Sequence, residues 1–282
     1  MSPYRLSRRA LLTAAPAVLL AAKPAIRVGA QTNAWPVDPN NFDSLITVLL
    51  EIRKLGFVGF ETGYLNVRSQ FENPNPAYDR IHKTGLRFLG VHIFLKTYDP
   101  QTAIAPWALI KQVADGARAL EAERVILSGA STVHPVALRA KADALTRAAK
   151  YCKDLGLGLA YHNHDVEFQQ QGAQIEGLLT ETDPNVHFVL DAGHAIEGGG
   201  DVTAFFTRNW KRLDAIHLRD AKAGKEVPLG QGDNDYGPLA KAIHSTAWKG
   251  WLVTEEERLN GDKPGAEAIR PAREAIRKVF GA

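Results

Sequence analysis

The sequence predicts a single (β/α)8 barrel, and three observations carry that prediction. Short apolar runs alternate with longer amphipathic segments from residue 26 onward, eight such runs fit into the remaining chain, and three of the helical segments between them stop at a glycine just before the next run. Strands buried on both faces read as nearly continuous apolar stretches, and parallel strands need helical crossovers. Eight such units in roughly 250 residues suit a closed barrel. An open, doubly wound sheet is the alternative, but no Gly-x-Gly-x-x-Gly turn follows any of the runs.

In chain order, the strand candidates are Ile26–Ala30, Phe57–Phe60, Phe88–Phe94, Arg124–Leu127, Gly158–His162, His187–Leu190, Ala215–Leu218 and Trp251–Thr254. Between the first two, Phe42, Leu45, Ile46, Leu49 and Ile52 recur at three- and four-residue spacing and mark one face of a helix. Leu55-Gly56 ends that helix and Thr84-Gly85 ends the segment before the third strand. Leu155-Gly156 ends a helix whose apolar face reads Ala137, Ala140, Ala144, Ala148 and Tyr151. Glycine takes the left-handed position after a helix without steric cost, so each pair is a stop signal. A chain of 282 residues hides roughly three quarters of its unfolded surface, so the core needs no staples. Cys152 is the only cysteine, which excludes an internal disulfide and a cysteine-rich zinc site.

The first residues follow a different pattern. Ser7-Arg8-Arg9-Ala10-Leu11-Leu12 sets two arginines before an apolar run that extends to Ala22, broken by Thr13 and Pro16. That run is too short to span a bilayer, which takes about 20 apolar residues. It resembles a twin-arginine signal, so residues 1–25 are expected to be an export segment, residues 26–282 the barrel, and the periplasm the destination. Arg5, Arg8, Arg9 and Lys23 stand in residues 1–23 without an acid, and removing them takes the formal charge from +3 to −1. The basic balance of the whole chain is therefore no argument for a nucleic-acid partner.

In barrels of this kind the active site sits at the C-terminal strand ends. Here those ends are Glu61, His92, Tyr161-His162-Asn163-His164, Asp191 with His194, His217-Leu218-Arg219-Asp220 and Glu255-Glu256-Glu257. Alternate strand residues face the same side. His162 goes with Ala160 and Gly158, Asp191 with Val189, His217 with Ala215, and Glu255 with Val253. Two carboxylates and two imidazoles from four late strands would surround one divalent ion, with manganese, cobalt, iron, zinc or magnesium as candidates. Inward carboxylates without a cation would repel each other and lose hydration.

These motifs resemble those of the sugar phosphate isomerase/epimerase family of xylose isomerase-like TIM barrels, over nearly all of residues 26–280. The matching residues are Gly59-Phe60-Glu61, Tyr161-His162-Asn163-His164, Asp191-Ala192-Gly193-His194, His217-Leu218-Arg219-Asp220, Leu229-Gly230-Gln231-Gly232-Asp233 and Val253-Thr254-Glu255. The resemblance implies a metal held by His162, Asp191, His217 and Glu255. Sugar epimerases of the family place a glutamate where His162 stands, whereas a similar Tyr-His-Asn-His segment occurs in inosose-dehydratase-like relatives.

The expected reaction is proton abstraction next to a carbonyl of a small carbohydrate, by a metal-dependent isomerase or epimerase. A dehydratase or lyase that expels a β-leaving group from a keto-sugar or keto-inositol is the alternative. Glu255 and His164 are the acid/base candidates. Glu61, His92, His194 and Arg219 are candidates for holding substrate oxygens or orienting ligands. Trp35, Tyr64 and Phe94 follow early strands and are placed either to stack on a sugar ring or to pack as a lid. An AP-endonuclease-like enzyme would need clustered metals and a basic groove, and a non-catalytic sugar binder would not need the four inward ligands.

Overall fold

Eight parallel strands close into a barrel in the computed structural model, which describes residues 26–132, 134–256 and 261–282. They are β1 (Arg27–Gln31), β2 (Gly59–Gly63), β3 (Arg87–Ile93), β4 (Arg124–Leu127), β5 (Gly158–His162), β6 (Val186–Asp191) and β7 (Leu213–Leu218). A short antiparallel hairpin of β8 (Asp220–Lys222) and β9 (Lys225–Val227) follows, and β10 (Trp251–Thr254) closes the barrel between β7 and β1. Helices alternate with the strands, and Gly56, Gly85 and Gly156 adopt φ of 87°, 72° and 76° where the helices before β2, β3 and β5 end. No described helix is long and apolar enough to cross a membrane.

The inside of the barrel has two layers. The lower one is apolar and fully buried, made of Leu89, Ile126, Ala160, Val189, Ala215, Trp251 and Val253. Gly29 and Gly59 admit it: a Cβ on either would stand 2.7–2.8 Å from the Leu89 side chain. Trp251 lies at the bottom, with the Arg27 guanidinium 4.3 Å from its ring centroid. Two residues beyond Ala160, Val189, Ala215 and Val253, on the same inward parity along β5, β6 and β7 and just past β10, stand His162, Asp191, His217 and Glu255. Packing that requires Ala160, Val189, Ala215 and Val253 inside therefore also turns the polar residues inward.

Three details differ from the sequence-based expectation. The second strand runs on to Gly63, so Glu61 lies within β2 rather than at its end. The β2–β3 register shifts at the Phe60/Glu61 step, giving β3 an extra residue, so that Leu89 and His92 both face the barrel interior although they are three apart. On the helix Pro135–Asp154 the buried stripe is Lys141, Ala142, Leu145, Ala148, Ala149 and Cys152, while Ala137, Ala140, Ala144 and Tyr151 flank it half-buried. Alanines alone are weak markers of a core face, and Leu145 with Cys152 sets it. The expected export segment, residues 1–25, lies outside the described residues, as does Glu257.

Candidate metal centre

His162, Asp191, His217 and Glu255 each present one ligand atom, and these atoms lie within 4.8 Å of one another in a fully buried group. Glu255 Oε2 is 2.5 Å from His217 Nδ1 and 3.3 Å from His162 Nε2, and Asp191 Oδ2 is 3.6 Å from His162 Nε2. The donor set of two imidazoles and two carboxylates suits zinc, manganese, iron or cobalt. Asp191 fixes itself locally. Its Oδ1 caps the helix Ala192–Glu197 by accepting the His194 N–H at 2.8 Å, which leaves Oδ2 turned to the group. That Oδ2 is buried and, apart from its ion pair with Arg219, accepts no hydrogen bond among the described residues, an arrangement that fits a cation ligand.

The charges around the group attract a positive charge, whether proton or metal. His217 lies between two carboxylates, with Nε2 2.7 Å from Glu61 Oε2 and Nδ1 against Glu255. Burial works against its charged form, but Glu61 and then Glu255 outweigh burial and lift the imidazole to about 10. Burial would likewise raise the carboxyls of Asp191 and Glu255. Arg219 and His194 beside the first, and His217 and His162 beside the second, hold both well below the usual carboxylate range. With an ion on Nδ1, Glu61 would keep its bond to the far nitrogen and fix the His217 tautomer. Arg219 reaches Asp191 Oδ2 with Nε at 3.0 Å and Glu226 on β9 with Nη1 at 3.1 Å. Its stem passes where a side chain on residue 193 would stand, since a Cβ on Gly193 would be 2.2 Å from Arg219 Cγ.

A cavity of about 320 Å³ opens above the group. Of the residues singled out in the sequence, His92, His162, His164, Arg219 and Glu255 line it, together with Trp35, Tyr64 and Phe94. Glu61, Asp191, His194 and His217 are not among its lining residues. Glu61 and Asp191 are bonded to the residues just described, and the His194 ring lies 4.9 Å from that of His164. His92 Nε2 is 2.8 Å from Ser128 Oγ. Burial, and then His162 and His194, push the His164 ring down to about 3, which leaves it a neutral imidazole.

Several supporting residues carry no role assigned from the sequence, although some stand in its motifs. Asn163 clamps β5 to β6: its Oδ1 accepts the Asp191 N–H at 2.9 Å and its Nδ2 donates to the Asp191 carbonyl at 3.1 Å. Asn33 donates to Glu255 Oε1 at 3.0 Å. Behind His164, fully buried Lys141 pairs with fully buried Glu167 at 3.2 Å. Glu167 also accepts from the Tyr161 hydroxyl at 2.6 Å and from the His164 backbone N–H at 2.9 Å. Asp220 accepts backbone N–H groups of Gly230 and Gly232 at 2.9 and 3.0 Å, so the last residue of His-Leu-Arg-Asp anchors the Leu229–Asp233 loop. The nearest available signal was Lys141 itself, which stands on the stripe of Leu145, Ala148 and Cys152 at helical spacing.

A family model described as Xylose isomerase-like TIM barrel matches residues 49–279. An inosose dehydratase of Geobacillus kaustophilus is 30% identical over 136 residues, 41% of this chain and 44% of that protein. The chain spans about half the length of the curated relatives it matches. Among solved structures, a sugar phosphate isomerase/epimerase from Parabacteroides distasonis superposes with a TM-score of 0.72 at 18% identity, covering 92% of this chain and 97% of the other. The IolI protein, solved with a bound zinc atom, superposes with a TM-score of 0.71 at 16% identity, covering 91% and 98%. At those identities the two structures speak for the fold.

Proposed function

We propose that this chain, which belongs to the xylose isomerase-like TIM barrel family, is a divalent-metal-dependent isomerase or epimerase that moves a proton beside a carbonyl of a carbohydrate. The observation that carries the proposal is the group of His162, Asp191, His217 and Glu255 at the floor of the cavity. A divalent ion bound there would polarise a sugar carbonyl or hydroxyl and acidify the adjacent C–H. Glu255 borders the cavity as an ionised carboxylate steadied by Asn33, and it takes up the proton. His162 turns Nε2 toward the carboxylates, so as a ligand it has no lone pair left for the sugar. His164, on the cavity wall, is the second acid/base candidate and stands where it can serve the other side of the carbon.

A dehydratase is the second reading, supported by the imidazole at the end of β5 and by the similarity to an inosose dehydratase. There the proton taken up by Glu255 leaves with the hydroxyl of the next carbon as water, and a double bond forms. Metal analysis followed by NMR of candidate sugars and keto-sugars in D2O tests both. The first reading expects one ion per chain and solvent deuterium in a sugar of unchanged formula. An unsaturated keto-sugar with released water replaces the first reading by the second, and a metal-free, inert protein removes both.

For residues 1–25 we propose export by the twin-arginine route to the periplasm, supported by Arg8-Arg9 before the apolar run. A reporter fused to residues 1–30 should leave the cytoplasm, and Arg8→Lys with Arg9→Lys should stop it. Unchanged export of that variant defeats the twin-arginine assignment.

A further inference from the structure

The cavity has two unlike walls. Over β5 to β10 it offers imidazoles, Arg219 and Glu255, but the loops after β1, β2 and β3 bring Trp35, Pro36, Val37, Pro39, Leu65 and Phe94. Trp35 donates its indole N–H away from the cavity to Glu51 Oε2 at 2.5 Å, which leaves only carbon to face a ligand. The prolines have no N–H, and Val37 donates its own to the Trp35 carbonyl at 2.9 Å. Polar side chains also border this side, and most are engaged: Gln31 accepts from the Thr32 N–H, Asn33 Nδ2 donates to Glu255, Asn66 Nδ2 to Thr62 Oγ1 at 3.0 Å, Lys263 Nζ to the Asn33 carbonyl at 2.7 Å, and His92 pairs with Ser128, while the Tyr64 hydroxyl stands beside them. Leu65 and Phe94 are 48% and 54% exposed, and both border this one cavity. Large apolar side chains left in water beside a polar site mark a place where a ligand covers them.

A bare sugar carries a hydroxyl on almost every carbon. Those turned to Pro36, Val37, Pro39, Leu65 and Phe94 would lose water without gaining a partner. We infer that the substrate is a sugar bearing an apolar or aromatic substituent, an alkyl or aryl glycoside, with the sugar toward the carboxylates and imidazoles and the substituent against Trp35, Leu65 and Phe94. This rests on the sugar-enzyme reading above and narrows its substrate class.

The test is calorimetric titration of the zinc-loaded protein with phenyl and methyl β-glycosides of glucose, galactose and xylose. We expect at least one phenyl glycoside to bind about tenfold or more tightly than its methyl counterpart. In a Leu65→Ser/Phe94→Ser protein that ratio should fall to near one. Both side chains are half exposed, so the substitutions leave the core intact, and circular dichroism checks that the fold is kept. Equal affinity within every pair, no binding of any phenyl glycoside, or a preference that survives the double substitution overturns the inference. Titrating Asp191→Asn protein separates this failure from that of the metal reading. If methyl glycosides bind equally well with and without the ion, the metal reading fails, while the phenyl-to-methyl ratio still reports on the apolar wall.

Discussion

On the β5–β10 side of the barrel mouth nearly every polar side chain is tied to another. Asp191 caps a helix and is gripped by Asn163, His217 sits between Glu61 and Glu255, and Lys141 and Glu167 brace the backbone of His164. On the β1–β3 side the cavity is faced by Pro36, Val37, Leu65 and Phe94, which make apolar contacts and have no side-chain hydrogen bonds to lose. The difference shows what each half is built for. A ligand set that must hold a small ion needs each atom fixed by a neighbour. A wall that only excludes water needs shape and carbon, and it tolerates change.

That contrast gives ordered expectations. The largest effect belongs to the ligands: Asp191→Ala or His217→Ala should lose the ion, by more than about 100-fold in affinity, since even supporting residues cost 10–100-fold. Elemental analysis reads this, and full occupancy in both variants would remove the site. Next is the brace. Lys141→Met strands the Glu167 carboxylate in the interior and should cost about 3–5 kcal/mol in urea unfolding. Adding Glu167→Gln should recover much of the loss. A negligible effect of Lys141→Met would mean that the pair does not hold the β5 loop. Glu61→Gln should come third, with metal affinity falling about 10–100-fold while the fold persists. An unaltered affinity would reduce Glu61 to filler beneath His217. The smallest changes are expected on the other side, where Leu65→Ala and Phe94→Ala should each shift stability by no more than about 0.5 kcal/mol. A loss as large as that of Lys141→Met would erase the distinction between the halves.

Most of the barrel could be read from the sequence because its signals are local. β4, β5 and β10 run as the apolar runs do, and the glycines before β2, β3 and β5 act within a few residues of where they stand. The inward set was legible for a related reason: strand parity ties His162 to Ala160 and Asp191 to Val189, so a small or branched partner betrays the face. What stayed hidden depends on register between distant segments. Glu61 meets His217 across 156 positions, and the shift at the Phe60/Glu61 step sets how far β2 and β3 reach. Glu167 finds Lys141 from a short 3-10 turn after β5, and Asn163 looks like an ordinary strand-end amide until β6 lies beside it.

The packed floor beneath the ligands governs traffic. Leu89, Ile126 and Trp251 fill the barrel there, so the chamber is a blind alley whose doorway is bordered by half-exposed Leu65 and Phe94. Arrivals and departures share that doorway, and a spent molecule must clear it before a fresh one can enter. Whatever part of the cargo leans on Leu65 and Phe94 is then last in and first out. A substituent bound there as proposed would, by its hold at the threshold, set how long a visitor stays, while the groups further in would set what happens during the stay.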